Sequence, residues 1–161
     1  MPVASLSSLT LLPLLSSLFV SSVAASCTLT YPLRNCTFHT ISDCAPTTSR
    51  FQIYSQYFGP DPPVADQNVT MWIEYAVHSS LTVAGGKSQD SVTLNGLPVS
   101  TETSDLCNSV VCPVTAGMHN TTNSFVWPAG ITHGSRVTYT TRWFDEQNTL
   151  LLCSKATVVT V

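Results

Sequence analysis

Six cysteines, four histidines and nine carboxylates are the side chains of this 161-residue chain best equipped to attack, titrate or ligate. The histidines (His39, His78, His119 and His133) are scattered. None has the His-Glu-x-x-His spacing that sets two imidazoles on one helix face for zinc, and no Gly-x-Ser-x-Gly elbow or phosphate-cradling glycine loop is present. A triad can assemble from distant residues. Catalysis nevertheless needs polar groups converging on a pocket, and here the acids are spread thinly along turns and strand faces. No catalytic residue is assigned and no cofactor is expected. The cysteines Cys27, Cys36, Cys44, Cys107, Cys112 and Cys153 offer two chemistries. Zinc sites are usually built from two short-spaced Cys/His pairs. An even cysteine count in an oxidising compartment reads instead as three disulfides. The disulfide reading is taken, and no metal is expected. Six cysteines allow 15 pairings and spacing selects none of them. Cys107 and Cys112 are near enough to close a local loop. A bridge from an early cysteine to Cys153 would close a loop of about 110 residues, worth about 4–5 kcal/mol in the chain-entropy picture.

Residues 1–25 supply the compartment. They carry no charged side chain, run apolar and Leu-rich from Leu6 to Val20, and end in small residues. Val23 and Ala25 stand at the −3 and −1 positions of a signal-peptidase site. Pro13 and the repeated serines argue against a retained 20-residue membrane span. Residues 1–25 are therefore expected to be a signal peptide, and 26–161 a single soluble domain. Three acceptor sequons, at Asn35, Asn68 and Asn120, agree with secretion and are candidate glycosylation sites. Only 9% of residues are charged, with a net charge of −3 and six basic side chains. A nucleic-acid partner would want a basic face, and a membrane anchor of the electrostatic kind would want a basic cluster. Neither is expected. With 43% apolar residues, disorder is not expected either.

The elements that must carry these side chains are strands. In Asn68–His78 the positions Val69, Met71, Ile73, Tyr75 and Val77 alternate with Thr70, Glu74 and His78, the signature of a strand with one buried face. Trp72 falls on the polar face, which is expected to be partly covered. In Arg136–Phe144, Val137, Tyr139, Thr141 and Trp143 share one face, and Asp145–Asn148 then turns the chain into a β-branched run, a carboxy-terminal hairpin. Weaker strands are predicted at Phe51–Phe58, Ser91–Leu97 and Ser124–Trp127. Turn chemistry at residues 59–63, 84–86, 128–130 and at Asn95-Gly96 separates them. Helical periodicity longer than two turns is absent from 26–161. Strands at this spacing predict an all-β fold, an immunoglobulin-like β-sandwich of two antiparallel sheets.

The stretch from Val92 to Cys153 carries a resemblance. It runs through Asn95-Gly96, the Cys107–Cys112 loop with Pro113, the Trp127-Pro128-Ala129-Gly130 turn, the 137–144 strand and a late Cys153. This order resembles the ML lipid-recognition family, which includes a Niemann-Pick type C sterol carrier, group 2 mite allergens and phosphatidylglycerol/phosphatidylinositol transfer proteins. The pattern is most similar to the plant and fungal branch. The resemblance implies the pairs Cys107–Cys112 and Cys44–Cys153, with Cys27–Cys36 as an added amino-terminal loop. The alternative joins Cys27 to Cys153 and Cys36 to Cys44. It also implies an apolar cavity between the sheets for one sterol or phospholipid. Met71, Ile73, Tyr75, Val77, Tyr139 and Trp143 are the candidate cavity walls, though for each one alone ordinary sandwich core is the better reading. Val99, Trp127, Pro128 and Ile131 are the candidate lips. No charged residue is needed inside such a cavity. The implied protein is a monomeric lipid-binding and lipid-transfer protein, not an enzyme. It would be secreted or lumenal (endolysosomal or vacuolar) and touch membranes transiently during transfer. The rival reading is a cargo-free sandwich that recognises a protein or glycan through its loops. Cavity volume separates the two.

Overall fold

The computed structural model describes residues 28–30, 33–35 and 39–160. The expected signal segment, and the expected Cys27–Cys36 bridge, lie outside the described residues. Ten strands follow in chain order: β1 (Thr28–Thr30), β2 (Leu33–Asn35), β3 (His39–Asp43), β4 (Phe51–Gly59), β5 (Asn68–Val83), β6 (Gly86–Leu94), β7 (Leu97–Asp105), β8 (Val114–Val126), β9 (Arg136–Asp145) and β10 (Leu150–Val159). A 3-10 turn, Leu106–Asn108, stands between β7 and β8. The strands form two antiparallel sheets. One has seven strands in the order β1-β2-β3-β10-β9-β6-β7, and the other has three in the order β4-β5-β8. The all-β sandwich of two antiparallel sheets is the fold that the alternation predicts.

Alternation decides which faces meet. Val69, Met71, Ile73, Tyr75 and Val77 of β5 are all buried, as are Val137, Tyr139, Thr141 and Trp143 of β9. Phe51 (β4) joins the two sheets. Its ring stacks on Tyr75 at 5.4 Å and meets Trp143 edge-on at 6.5 Å. All three are fully buried, and each contributes about 2–3 kcal/mol by leaving water. On the outer face Trp72 packs against Tyr57 at 4.9 Å, the partial cover expected for it.

Turn chemistry fixes the register. Asn95 and Gly96 have φ of 51° and 83°, so β6 and β7 are joined by a type I′ turn whose twist matches that of the strands. The Asn95 side chain also accepts from the Arg136 amide at 2.8 Å, pinning this hairpin to β9. At the β9–β10 turn, Asp145 Oδ1 accepts from the Gln147 and Thr149 amides at 3.0 and 2.7 Å.

Two disulfides staple the described residues. Cys44, just past β3, is bonded to Cys153 in β10 across 109 residues, and Cys107 to Cys112 across five. The Cys44–Cys153 bond excludes the alternative in which Cys27 takes Cys153 and Cys36 takes Cys44. Two elements run further than the sequence suggests. β7 (Leu97–Asp105) is an added strand, exposed along its whole length, and β8 starts at Val114, ten residues before the predicted Ser124. Both are edge strands, and they border the site.

Candidate functional site: a cleft between the edge strands

A cleft of about 530 Å³ opens between the inner face of β6, β7 and β9 and the facing strand β8. Directly paired residues on neighbouring strands share a face, so the ladder orders the wall in levels. Strand rise places same-face residues about 7 Å apart along the chain. At the first level, Val137 faces the Trp127-Pro128 segment that follows β8. At the second, Tyr139 pairs with Val92, and Val92 with Ser100. Phe125 closes this level from β8, its ring stacked on Tyr139 at 4.8 Å with planes 9° apart. At the third level, Thr141 pairs with Asp90 and Asp90 with Glu102, while Asn123 faces them from β8. Beyond it lie Ser104, Asn108 and Ser109. The cleft is apolar at its Trp127 end and polar at its Asp90–Glu102 end.

The levels are tied together by hydrogen bonds. Thr141 Oγ1 donates to Asp90 Oδ1 at 2.6 Å, and Asn123 Nδ2 donates to the Tyr139 hydroxyl at 3.2 Å. Burial, and next the charge of Asp90, push the Tyr139 phenol far above its ordinary pKa. It stays a neutral hydroxyl throughout the physiological range. Among the described residues, the cleft wall contains two carboxylates and no lysine, arginine or histidine. The wall therefore carries charge that the sequence reading did not require.

The sequence-predicted residues divide among three places. Tyr139, Val99, Trp127 and Pro128 line the cleft. Ile131 lines an adjoining cavity of about 100 Å³ that shares Trp127 and Pro128 with it. Met71, Ile73 and Trp143 border a void of about 10 Å³ beyond the polar end, together with Ser88, Ser109, Thr121, Asn123 and Thr141. Tyr75 and Val77 are packed in the sandwich interior, where the Tyr75 ring also stacks on His119 at 5.5 Å. Burial pushes the Tyr75 phenol up to about 12. Asp90, Glu102, Asn123, Val92, Val137 and Phe125 belong to the cleft and were not singled out from the sequence. The readable signal was the period-two run Ser100, Glu102, Ser104, which marks one face of a strand without any apolar residue to announce it. Asn68 and Asn120, the sequon asparagines of β5 and β8, are exposed. For Asn35 only the strand backbone is described. Among the described residues, no group of three or more His, Cys, Asp or Glu could hold a metal ion.

Comparison with known proteins supplies independent findings. The model of the ML domain family matches residues 30–160. A protein of Dictyostelium discoideum named for phosphatidylglycerol/phosphatidylinositol transfer is 29% identical over 83 residues, 50% of this chain and 54% of that protein. The match thus spans about half the length of this curated relative. Among solved structures, a Niemann-Pick type C2 protein from the Japanese carpenter ant superposes with a TM-score of 0.59 at 13% identity, covering 75% of this chain and 98% of that one. Chicken MD-1, solved in complex with lipid IVa, gives 0.52 at 12% identity, covering 83% and 94%. At these identities the structural likeness is one of fold.

Proposed function

Because the chain belongs to the ML domain family, we propose that it is a lipid-binding and lipid-transfer protein that holds one sterol or phospholipid in the β7–β8 cleft. The family is one of lipid-binding and transfer proteins. The observation that carries the reading to this chain is the cleft itself. A space of about 530 Å³ lies within the range of small-molecule sites, whereas a sandwich acting only through its loops would pack its interior densely. Each methylene moved from water onto the Val92, Val137, Phe125 and Trp127 walls is worth about 0.8 kcal/mol. About ten of them supply roughly 8 kcal/mol, a micromolar affinity before ordering costs are met.

The rim supports transient membrane contact. Leu97, Val99 and Val126 are 71%, 63% and 59% exposed, and Val99 and Val126 also line the cleft. An apolar rim at the apolar end offers a lipid chain a path that need not cross water. The disulfides and sequons support a secreted or lumenal location for a monomer released from the signal segment 1–25 and glycosylated at one or more of Asn35, Asn68 and Asn120. The test is mass spectrometry of lipids extracted from the protein secreted by a eukaryotic host and purified without detergent. Transfer of labelled sterol and phosphatidylinositol between vesicles completes it. One lipid class near unit stoichiometry, moved faster than in a protein-free control, is the expected result. No bound lipid and no transfer by correctly disulfide-bonded protein would move the reading to a cargo-free recognition module.

A further inference from the structure

The polar end of the cleft is built in a way that sandwich stability does not explain. Asp90 and Glu102 are direct cross-strand partners on the inner face. Such partners hold their Cβ atoms about 5 Å apart, and like charges in that relation repel. Among the described residues, no basic side chain lines the cleft to offset them. Two carboxylates without a third ligating side chain do not form a metal cage among the described residues. A second, independent feature adjoins them. One level beyond Asp90 in β6, the Ser88 hydroxyl has no hydrogen-bond partner, and neither has the indole N–H of Trp143, which pairs with Ser88 across the ladder. Each residue is 1% exposed. Both line the void of about 10 Å³ that shares Ser109 and Asn123 with the cleft. That volume suits a single oxygen or nitrogen atom, and a buried polar group left unmatched costs roughly 1–3 kcal/mol.

We infer that the Asp90–Glu102 end receives the head of the cargo, and that this head is a hydrogen-bond donor without negative charge, an ammonium or a hydroxyl, while the chain lies toward Trp127 and Pro128. The inference rests on the carrier reading and names the class of lipid it takes. A donor head hydrogen-bonds to the Asp90 and Glu102 carboxylates, of which Asp90 already accepts from Thr141 and meets the Tyr139 hydroxyl. A hydroxyl oxygen reaching the void accepts from the Trp143 N–H and pairs with Ser88, whereas an ammonium there can only donate to Ser88 Oγ. A phosphate or carboxylate head placed there meets two like charges, the half-buried Asp90 and the exposed Glu102, and no cation among the described residues. Such a lipid is admitted only with its head outside the polar end.

The test compares amphiphiles of one chain length and different heads: hexadecylamine, 1-hexadecanol and palmitate. Each displaces a neutral fluorescent acyl probe from the whole secreted protein at low salt. The amine and the alcohol are expected to bind at least about tenfold tighter than palmitate, a modest share of the repulsion that two nearby charges impose outside bulk water. An amine that outbinds the alcohol identifies the head as ammonium, and equal affinities identify it as hydroxyl. The D90N/E102Q double variant keeps an acceptor for Thr141 and is expected to bring palmitate to within about threefold of the alcohol. The Trp143 indole N–H resonance is expected to shift on binding the alcohol, and Ser88→Ala to weaken the alcohol without lowering the Tm of the free protein. Palmitate bound by the parent protein as well as the other two, or a discrimination against palmitate that is unchanged in D90N/E102Q, would overturn the inference and leave the carrier standing. Failure of every amphiphile to displace the probe, together with absent vesicle transfer, would overturn both.

Discussion

Truncating Phe125 to alanine separates a cleft wall from a core residue, because the two roles predict different ratios of lost stability to lost binding. The Phe125 ring is half-buried. It stacks on Tyr139 at 4.8 Å, and lies 6.0 Å from Phe58 and 6.4 Å from Trp127, with its remaining surface on the cleft. A fully buried phenylalanine costs about 3–5 kcal/mol on truncation. Phe125 packs on one side only, so about 2 kcal/mol is expected, of which the Tyr139 stack supplies about 1 kcal/mol. In a domain of this size that lowers Tm by roughly 6 °C. A lipid chain losing about 40 Å² of apolar cover from this ring loses about 1 kcal/mol, a roughly fivefold weaker Kd. Phe51 is the control. It is fully buried between Tyr75 and Trp143 and is not part of the cleft wall. Phe51→Ala is expected to cost about 3–5 kcal/mol, with Kd unchanged for the protein that remains folded. Thermal unfolding gives the first quantity and displacement of a fluorescent lipid, read well below both Tm values, gives the second. An unchanged Kd in Phe125→Ala, or an equal loss in Phe51→Ala, would refute the placement of the ligand against β8.

Three further outcomes follow from the same structure. Replacing Cys44 and Cys153 together by alanine frees a loop spanning 109 residues and is expected to cost about 5 kcal/mol in urea unfolding; a loss below about 1 kcal/mol would mean that the β3–β10 ladder alone holds the amino-terminal strands. Placing aspartate at the exposed rim positions Leu97 and Val126 is expected to slow vesicle-to-vesicle transfer severalfold with Kd for a soluble probe unchanged; an unaltered transfer rate would remove this rim from the membrane contact. Burial raises the Asp43 carboxyl above its ordinary 3.8, against hydrogen bonds from the Ala45 and Ile53 amides. The folded state therefore holds this proton to higher pH than the unfolded state does, so the side chain costs stability at neutral pH and the cost fades as pH falls through the folded value toward 3.8. Asp43→Asn is expected to unfold at higher urea than the parent at pH 7, with the difference shrinking toward pH 3.8; a difference independent of pH would show that Asp43 acts through its hydrogen bonds alone.

The fold was legible wherever one face of a strand is apolar and the other is not. β5 and β9 announce themselves through Val69–Val77 and Val137–Trp143, and Asn95-Gly96 marks its own turn because both residues tolerate positive φ. β7 was not legible. Leu97–Asp105 contains no buried residue, so period-two patterning has no contrast to read. β8 was seen only from Ser124, since Thr115 to Asn123 offers threonine, asparagine and histidine to both faces. The site followed the same rule. Val99, Trp127 and Pro128 could be placed from the turn they flank and from the family resemblance, and Tyr139 from its strand. Asp90 and Glu102 could not, because their shared inward face depends on the β6–β7 register. A shift between Val92 and Thr93 offsets that register from what the tight turn alone would give. The separation of Met71, Ile73 and Trp143 from the main cleft has a different cause. All three share the predicted inward face, but alternation says nothing about where along a strand the space between two sheets is filled.

One row of side chains crosses the large sheet at a single level and shows how core and site divide the same interior. Glu102, Asp90, Thr141 and Ser154 are successive cross-strand partners from β7 to β10. At the β10 end the row is satisfied from the opposite sheet. Ser154 Oγ donates to Gln56 Oε1 at 2.5 Å, and Gln56 Nε2 reaches the Met71 sulfur at 3.0 Å, all three residues being buried. A polar network matched in this way is neutral for stability at best, since apolar residues of the same shape would serve as well. At the β7 end the row faces open space, its two carboxylates repel, and the adjacent Ser88 and Trp143 donors go unmatched. The open end of the row therefore adds nothing to stability that an apolar residue at Asp90 would not supply. A row that is closed on one side and left open on the other is therefore explained by what enters the open side, and the missing partners describe that molecule: donors for Asp90 and Glu102, an acceptor for Ser88 and Trp143, and an apolar remainder for Val92, Phe125 and Trp127.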